Sequence, residues 1–346
     1  MNILAKPWIA ARPPKRILAI RLQAMGDTMI TLPYLQALRQ SLPDGVRLDL
    51  LTREEVDPIP RNIHLFDKVY SIGGERNLKK NFLSALLMLP RLWLRRYEVI
   101  IDLQNNIVTR TIRKALRPAA WSEFDRFSPI AAGERTRLTI QAAGLDANRI
   151  LSPFRLKDPE LGALLLHKNG WNGKDPLIVL NPAGVFVTRN WPLENYIQFA
   201  RLWQQRLPET KFVILGTSLI AKAAAILKKE LGKGLIDLVG QTTPLEAFAV
   251  LQETQLVVSE DSGLMHMAWV SGRPTLVLFG GTRSDWSRPL GKHTMFFDSS
   301  DLACGSCMQE TCHFGDVHCL TRYTPEKIFQ AAWDLSFSYA GTEESE

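Results

Sequence analysis

The sequence predicts an α/β fold made of two doubly wound domains, each a mostly parallel sheet covered by helices. Three observations carry this prediction. Short β-branched runs alternate with amphipathic helical stretches, the pattern of βαβ units. That rhythm lapses once, near the middle of the chain. A length of 346 residues exceeds one ordinary α/β core and suits two. With 46% hydrophobic and 22% charged residues and no low-complexity tract, the composition is that of a chain that folds around a core.

The first fifteen residues, MNILAKPWIAARPPK, hold no apolar run long enough for the core of a signal peptide and read as a loose arm. Arg16 to Leu22 reads as the first strand and Thr28 to Leu42 as the helix after it. Arg47 to Leu51, Lys68 to Ile72 and Val99 to Leu103 are the next strands. The longest apolar stretch, Phe82 to Leu94, is interrupted by Pro90 and Arg91 and falls short of the ~20 residues of a membrane span. From Asp146 to Pro176, which contains Pro153, Pro159, Gly170 and Gly173, the strand rhythm lapses, and the domain boundary belongs there. The second half restarts with LIVLNP from Leu177, then KFVILG from Lys211, IDLVG from Ile236, QLVVSE from Gln255 and TLVLFG from Thr275. Five strands spaced by helices make a second doubly wound sheet. The last helix, Pro325 to Tyr339, sets Ile328, Phe329, Ala332, Trp333 and Leu335 at helical spacing, so one face wants burial. The expected domains are residues 1–155, residues 156–323, and a terminal helix, 324–346, packing back toward the first domain.

Net charge is +7, but it is unevenly placed. Residues 1–150 hold 24 basic against 14 acidic side chains, a surplus of +10, and the rest of the chain is at −3. The asymmetry fits either an anionic partner of the N-terminal half (nucleic acid, a phosphorylated lipid or a membrane surface) or a solvated basic face. No nucleic-acid-binding module is visible, and aromatic residues do not interleave with the cations as stacking platforms would, which argues against nucleic acid. All four cysteines, Cys304, Cys307, Cys312 and Cys319, fall in one segment with His313 and His318 interleaved. They supply enough ligands for a structural zinc or iron–sulfur site; reduced thiols or an oxidation-induced disulfide are the alternatives. In none of these does the cluster perform the chemistry.

Three segments carry candidate chemistry. In RLQAMGDTMITLP a strand ends and a helix begins, with Gly26 permitting a tight turn and Asp27 near the helix start, at the strand end where doubly wound sheets bind ligands. Asp27 could equally cap the helix. There is no G-x-G-x-x-G, which counts against a dehydrogenase. In VVSEDSGLMHMAWVSGRPTLVLFG, Ser262 and Gly263 open a helix whose free N–H groups suit a phosphate. Asp261 can accept from sugar hydroxyls, and His266, about one turn on, can point to the same side; a bare cap with a core histidine is the alternative. In NPAGVFVTRNWPLENY, Thr188 and Arg189 bring a hydroxyl and a fixed cation able to neutralise a diphosphate.

Together these segments resemble glycosyltransferase family 9, which includes the bacterial lipopolysaccharide heptosyltransferases. The matches are Arg21 to Asp27 to the family's R-L-x-x-x-G-D, Pro182 to Pro192 to its loop ending in K-x-W-P, and Asp261 to His266 to its D-[ST]-G-x-x-H. They continue through Gly272-Arg273-Pro274-Thr275 and Phe279-Gly280, so the likeness runs from residue 16 to about 335. The resemblance implies a GT-B fold, two Rossmann-like domains facing a cleft, and an inverting transfer of heptose or a similar sugar from an ADP-activated donor. It implies no cofactor or metal for catalysis, Asp27 as general base, and donor contacts from Thr188, Arg189, Asp261, Ser262, Gly263 and His266, with Glu246 on the ribose. Arg189 stands where the family commonly has Lys, which keeps the charge and changes the geometry.

By the same analogy the acceptor is an anionic lipid-linked core saccharide. Arg53, Arg61, Arg91, Arg95 and Arg96 are its candidate contacts, and a cytoplasmic protein peripheral to the inner membrane is expected. The competing readings are a non-catalytic nucleotide-sugar-binding protein, or another GT-B nucleotide-sugar enzyme such as an epimerase.

Overall fold

The computed structural model describes residues 2–75, 77–147, 153–184 and 186–343. The chain divides after Ser152 into two compact units. In the first, β1 (Ala5–Lys6), β2 (Arg16–Ile20), β3 (Arg47–Arg53), β4 (Lys68–Ile72), β5 (Val99–Asp102) and β6 (Ala120–Glu123) lie in the order β1-β6-β5-β2-β3-β4. All neighbours are parallel except β1, which runs antiparallel to β6. The central strands are near-continuous apolar runs because helices cover both faces of a parallel sheet; Ile17 to Ile20 and Val99 to Ile101 are fully buried.

The second unit repeats the plan with β7 (Leu177–Asn181), β8 (Lys211–Ile214), β9 (Leu235–Asp237), β10 (Leu256–Glu260), β11 (Thr275–Leu278) and β12 (Thr294–Phe297), all parallel, in the order β12-β11-β10-β7-β8-β9. Strand order reverses between β2 and β5 in one sheet and between β7 and β10 in the other. Crevices at the carboxyl ends of such strand pairs are where doubly wound sheets bind ligands. The three motifs follow β2, β7 and β10 directly.

One sequence expectation meets a different arrangement. The N-terminal arm is tied down: Ala5 pairs with Ser122 and Lys6 with Trp121, and the Trp8 N–H donates to the Ala143 carbonyl over 2.8 Å. The edge of β6 offers a row of backbone groups that the arm satisfies. The helix Pro325–Glu343 spends its apolar face inside the second unit, where Ile328, Phe329, Ala332 and Leu335 are buried. Phe329 packs edge-on and Trp333 tilted against Trp203 of the helix Leu193–Arg206, with ring centroids 5.7 and 5.1 Å away. The apolar face of this helix is thus occupied by contacts within its own unit.

Candidate active site

Beyond β2, the helix Met25–Ser41 begins at Ala24, and no side chain caps it. Asp27 is therefore a first-turn residue, not the cap, and its carboxylate is engaged elsewhere. Arg21, buried at the strand end, sends Nη2 to Asp27 Oδ1 at 3.0 Å and Nη1 to the Leu103 carbonyl. The guanidinium lies 4.9 Å from the Phe124 ring centroid, and so does that of Arg135. Burial pulls the Arg21 guanidinium below its usual range, and the Asp27 charge opposes that. Arg21 is held on three sides, so it fixes one carboxylate oxygen of Asp27. The Asp27 side chain is 37% exposed, open to a ligand. Gln104 steadies the same turn, accepting from the Leu22 N–H and donating to Gln23 Oε1 over 2.8 Å. Arg21 lay within the quoted motif, but only the folded turn brings a strand-end cation onto a carboxylate six residues later.

A groove of about 1240 Å³ in the first unit runs from Gln23 past Asn105 and Arg110 to Arg126 and to Leu78. Of the five candidate acceptor arginines, Arg53 is paired with Glu55 (2.8 Å), Arg61 with Asp57 (2.7 Å), and Arg95 lies 3.7 Å from buried Asp49. Arg91 and Arg96 are exposed and make no ion pair among the described residues.

In the second unit the donor-motif residues converge on the ends of β7 and β10. Arg189 Nη1 is 3.9 Å from Asp261 Oδ2, and its guanidinium lies 5.2 Å from the Phe186 ring. Burial raises the Asp261 carboxyl, while the Thr282 hydroxyl and Arg189 favour its charged form. Ser262 caps the helix Gly263–Val270, accepting from the Met265 N–H, and its hydroxyl also receives Asn181 Nδ2 at 2.8 Å. His266 is buried and its pKa is pushed down to about 4 by burial, so its ring is neutral at ordinary pH. Asn181 Oδ1 and His266 Nδ1 are buried with no hydrogen-bond partner among the described residues. Buried polar atoms normally find partners, and a ligand hydroxyl, which can both donate and accept, would suit these two.

Two candidates are engaged in the scaffold. The Thr188 hydroxyl donates to the Gln309 carbonyl and its own carbonyl accepts from the Gly281 N–H, so it pins the cysteine loop to the end of β11. Glu246 completes a capping box with Thr243, accepting that residue's N–H over 2.7 Å.

Glu260 was missed in the sequence, where it reads as the last residue of a buried strand. It is fully buried, and it accepts from the Gly184 N–H (2.7 Å), the Trp191 N–H (2.6 Å) and the Tyr196 hydroxyl (3.3 Å). Burial raises its carboxyl to about 8 against these donors. The acid thereby fastens both ends of the loop that carries Arg189. A carboxyl at the carboxyl end of an otherwise apolar strand was the available signal.

The four cysteines are free; Cys304 and Cys307 are exposed, Cys312 and Cys319 half-buried. Burial and the three neighbouring thiols push Cys319 up to about 11. Among the described residues no three His, Cys, Asp or Glu side chains are grouped to hold a metal ion. The loop that carries the cysteines is set by other bonds. Ser306 N–H donates to Ser299 Oγ (3.0 Å) and Met308 N–H to the Gly281 carbonyl (2.7 Å).

The chain resembles known proteins over most of its length. It is 25% identical to lipopolysaccharide heptosyltransferase 1 of Pseudomonas aeruginosa, covering 90% of this chain and 96% of that one. A glycosyl transferase family 9 structure from Veillonella parvula superposes with a TM-score of 0.81 at 17% identity, covering 94% and 98% of the two chains. The E. coli ADP-heptose lipopolysaccharide heptosyltransferase II does so at 0.75 and 16%, covering 94% and 99%. These likenesses identify the two doubly wound units as those of the GT-B fold. The sequence model of glycosyltransferase family 9 (heptosyltransferase) matches residues 122–318, more than half of the chain. The protein belongs to glycosyltransferase family 9.

Proposed function

We propose that the protein transfers heptose from an ADP-activated donor to a lipopolysaccharide core acceptor, with inversion, using side chains alone. The observation that carries the reading is Asp27: a carboxylate beyond the first switch-point strand, oriented by a buried arginine and left open to solvent. In an inverting displacement the acceptor oxygen bonds to the anomeric carbon as the bond to the diphosphate breaks, and the hydroxyl proton passes to a base. Arg21 holds Oδ1 of Asp27, so Oδ2 is the oxygen that takes the proton. The donor belongs to the second unit. Arg189 faces the diphosphate, the start of the helix Gly263–Val270 offers N–H groups to it, and Asp261 and neutral His266 meet the sugar hydroxyls. Thr188 and Glu246 are secondary contacts, since each is already committed to the scaffold. The acceptor's core phosphates lie in the groove beside Gln23, where Arg110 and Arg126 supply positive charge. We place the protein peripherally on an anionic membrane surface.

The test is Asp27→Asn with ADP-heptose and a heptose-free core acceptor, the product read by mass and the reaction repeated with a chelator. Wild type should add one heptose and release ADP in either condition. The Asn variant should bind donor normally while kcat falls at least about a hundredfold, the usual range for loss of a general base. Near-normal turnover by the variant would remove Asp27 from the chemistry.

A further inference from the structure

The helix Leu78–Trp93 is apolar on two faces. Ala85 and Leu92 are buried in the first unit, with Phe82, Met88 and Leu89 packed around them. The opposite face is apolar too: Leu83, Leu86 and Leu87, followed by Pro90 and Leu94, recur at helical spacing, and all are exposed. Leu87 is 73% exposed, Trp93 67% and Leu94 77%. A helix that is hydrophobic all round is ordinarily covered on every side. Below Trp93 a shallow apolar cavity of about 340 Å³ continues the surface to Ala115 and Leu116 of the helix Ile107–Leu116.

Charge decides what covers it. No acidic residue occurs in residues 76–97 or in residues 107–117. Lys79 and Lys80 stand at one end of the stripe, Arg91 and Arg96 at the other, and Lys114 and Arg117 on the neighbouring helix; all six are exposed. None of the six makes an ion pair among the described residues. A second copy pairing through this face would oppose these cations to their own images with no carboxylate between them. A bilayer rich in anionic headgroups satisfies both halves of the surface at once.

We infer that the Leu78–Trp93 helix is a membrane anchor lying in the plane of an anionic bilayer, its exposed leucines and Trp93 entering the acyl boundary and its flanking cations on headgroup phosphates. Sixteen residues interrupted by Pro90 are too short to cross, so the helix lies along the interface. The purpose of the anchor rests on the proposed function. Leu78 and Ile107 also line the groove that reaches Gln23, so the anchor sets that groove at the headgroup level, where a lipid-linked saccharide presents its sugars.

The test uses the full chain with phosphatidylcholine vesicles, with and without phosphatidylglycerol, in flotation assays at rising salt. Wild type should float with anionic vesicles at low salt, lose binding as salt rises, and bind pure phosphatidylcholine weakly. Leu87→Ser/Trp93→Ser should cut partitioning at least about tenfold and Lys79→Glu/Lys80→Glu severalfold, with unchanged melting because these side chains are exposed. Wild-type flotation independent of phosphatidylglycerol, or a Leu87→Ser/Trp93→Ser variant that floats like wild type, would overturn the anchor. So would a wild-type dimer that dissociates in that variant. Turnover separates this from the proposed function: the double Ser variant should keep wild-type kcat/KM on a delipidated acceptor and lose it on a vesicle-embedded one. Wild type inactive on both acceptors would defeat the proposed function while leaving the vesicle result intact.

Discussion

Arg189 faces a carboxylate at 3.9 Å, too long for a tight pair, with its ring neighbour Phe186 on one side. A guanidinium held so loosely keeps donors free for a diphosphate. Arg189→Ala should raise the donor KM about 10- to 100-fold, the loss of a charge-assisted contact of ~1.5–3 kcal/mol, with a smaller change in kcat. An unaltered donor affinity would assign Arg189 to the surface alone. His266 makes a different prediction, about stability. Its pKa falls from 6.5 in the unfolded chain to about 4 in the folded one. Between those values the unfolded chain binds a proton that the folded chain refuses, so stability drops as pH falls from 6.5 toward 4 and is unaffected by this group above 6.5. The effect is bounded at roughly 3 kcal/mol. Urea unfolding at pH 7 and pH 5 should show His266→Gln losing less stability on acidification than wild type; an equal loss would trace the acid sensitivity to other groups.

Among the elements, the loop after β7 shows how a buried acid shapes a binding surface. Glu260 takes the N–H groups of Gly184 and Trp191, the two ends of the segment presenting Arg189. Above pH 8, where Glu260 is a carboxylate, Glu260→Gln exchanges one acceptor oxygen for an NH₂ that faces an N–H, leaving a buried donor unpaired. The variant should lose about 1–3 kcal/mol of stability and bind donor more weakly, while transfer at saturating donor stays close to normal. Donor KM indistinguishable from wild type would mean that the loop holds its shape without the acid. This arrangement also marks where sequence reading stops. Strands β2, β5, β7, β10 and β11 were legible because a parallel sheet buried on both faces demands unbroken apolar runs. Asp27, Asp261, Ser262 and His266 were legible as candidates because they follow such runs closely. The Arg21–Asp27 pair, the Glu260 clasp and the scaffold duties of Thr188 and Glu246 were not, since each depends on which way a turn carries a side chain. The terminal helix was legible as amphipathic but its aromatic contacts with Trp203 were not, because periodicity reports that a face is buried and not what buries it.

At the scale of the whole molecule, the two halves have separate electrostatic characters, +10 and −3, and each has its own switch-point crevice. The basic half also contains the element whose outer face is apolar, which no charge count could have located. The N-terminal arm bears on the integrity of this half. Residues 5 and 6 pair with β6, the Glu123 N–H donates to the Leu4 carbonyl over 2.9 Å, and Gly144 (φ +80°) leaves room for the backbone of Trp8. A chain trimmed of its first ten residues would keep every catalytic candidate but leave β6 as a bare outer strand. Bare strand edges recruit strands from other molecules. The trimmed protein should therefore self-associate with rising concentration in sedimentation, and a monodisperse trimmed monomer would contradict this. The arm acts as a selvedge, the woven border that keeps a cloth from fraying.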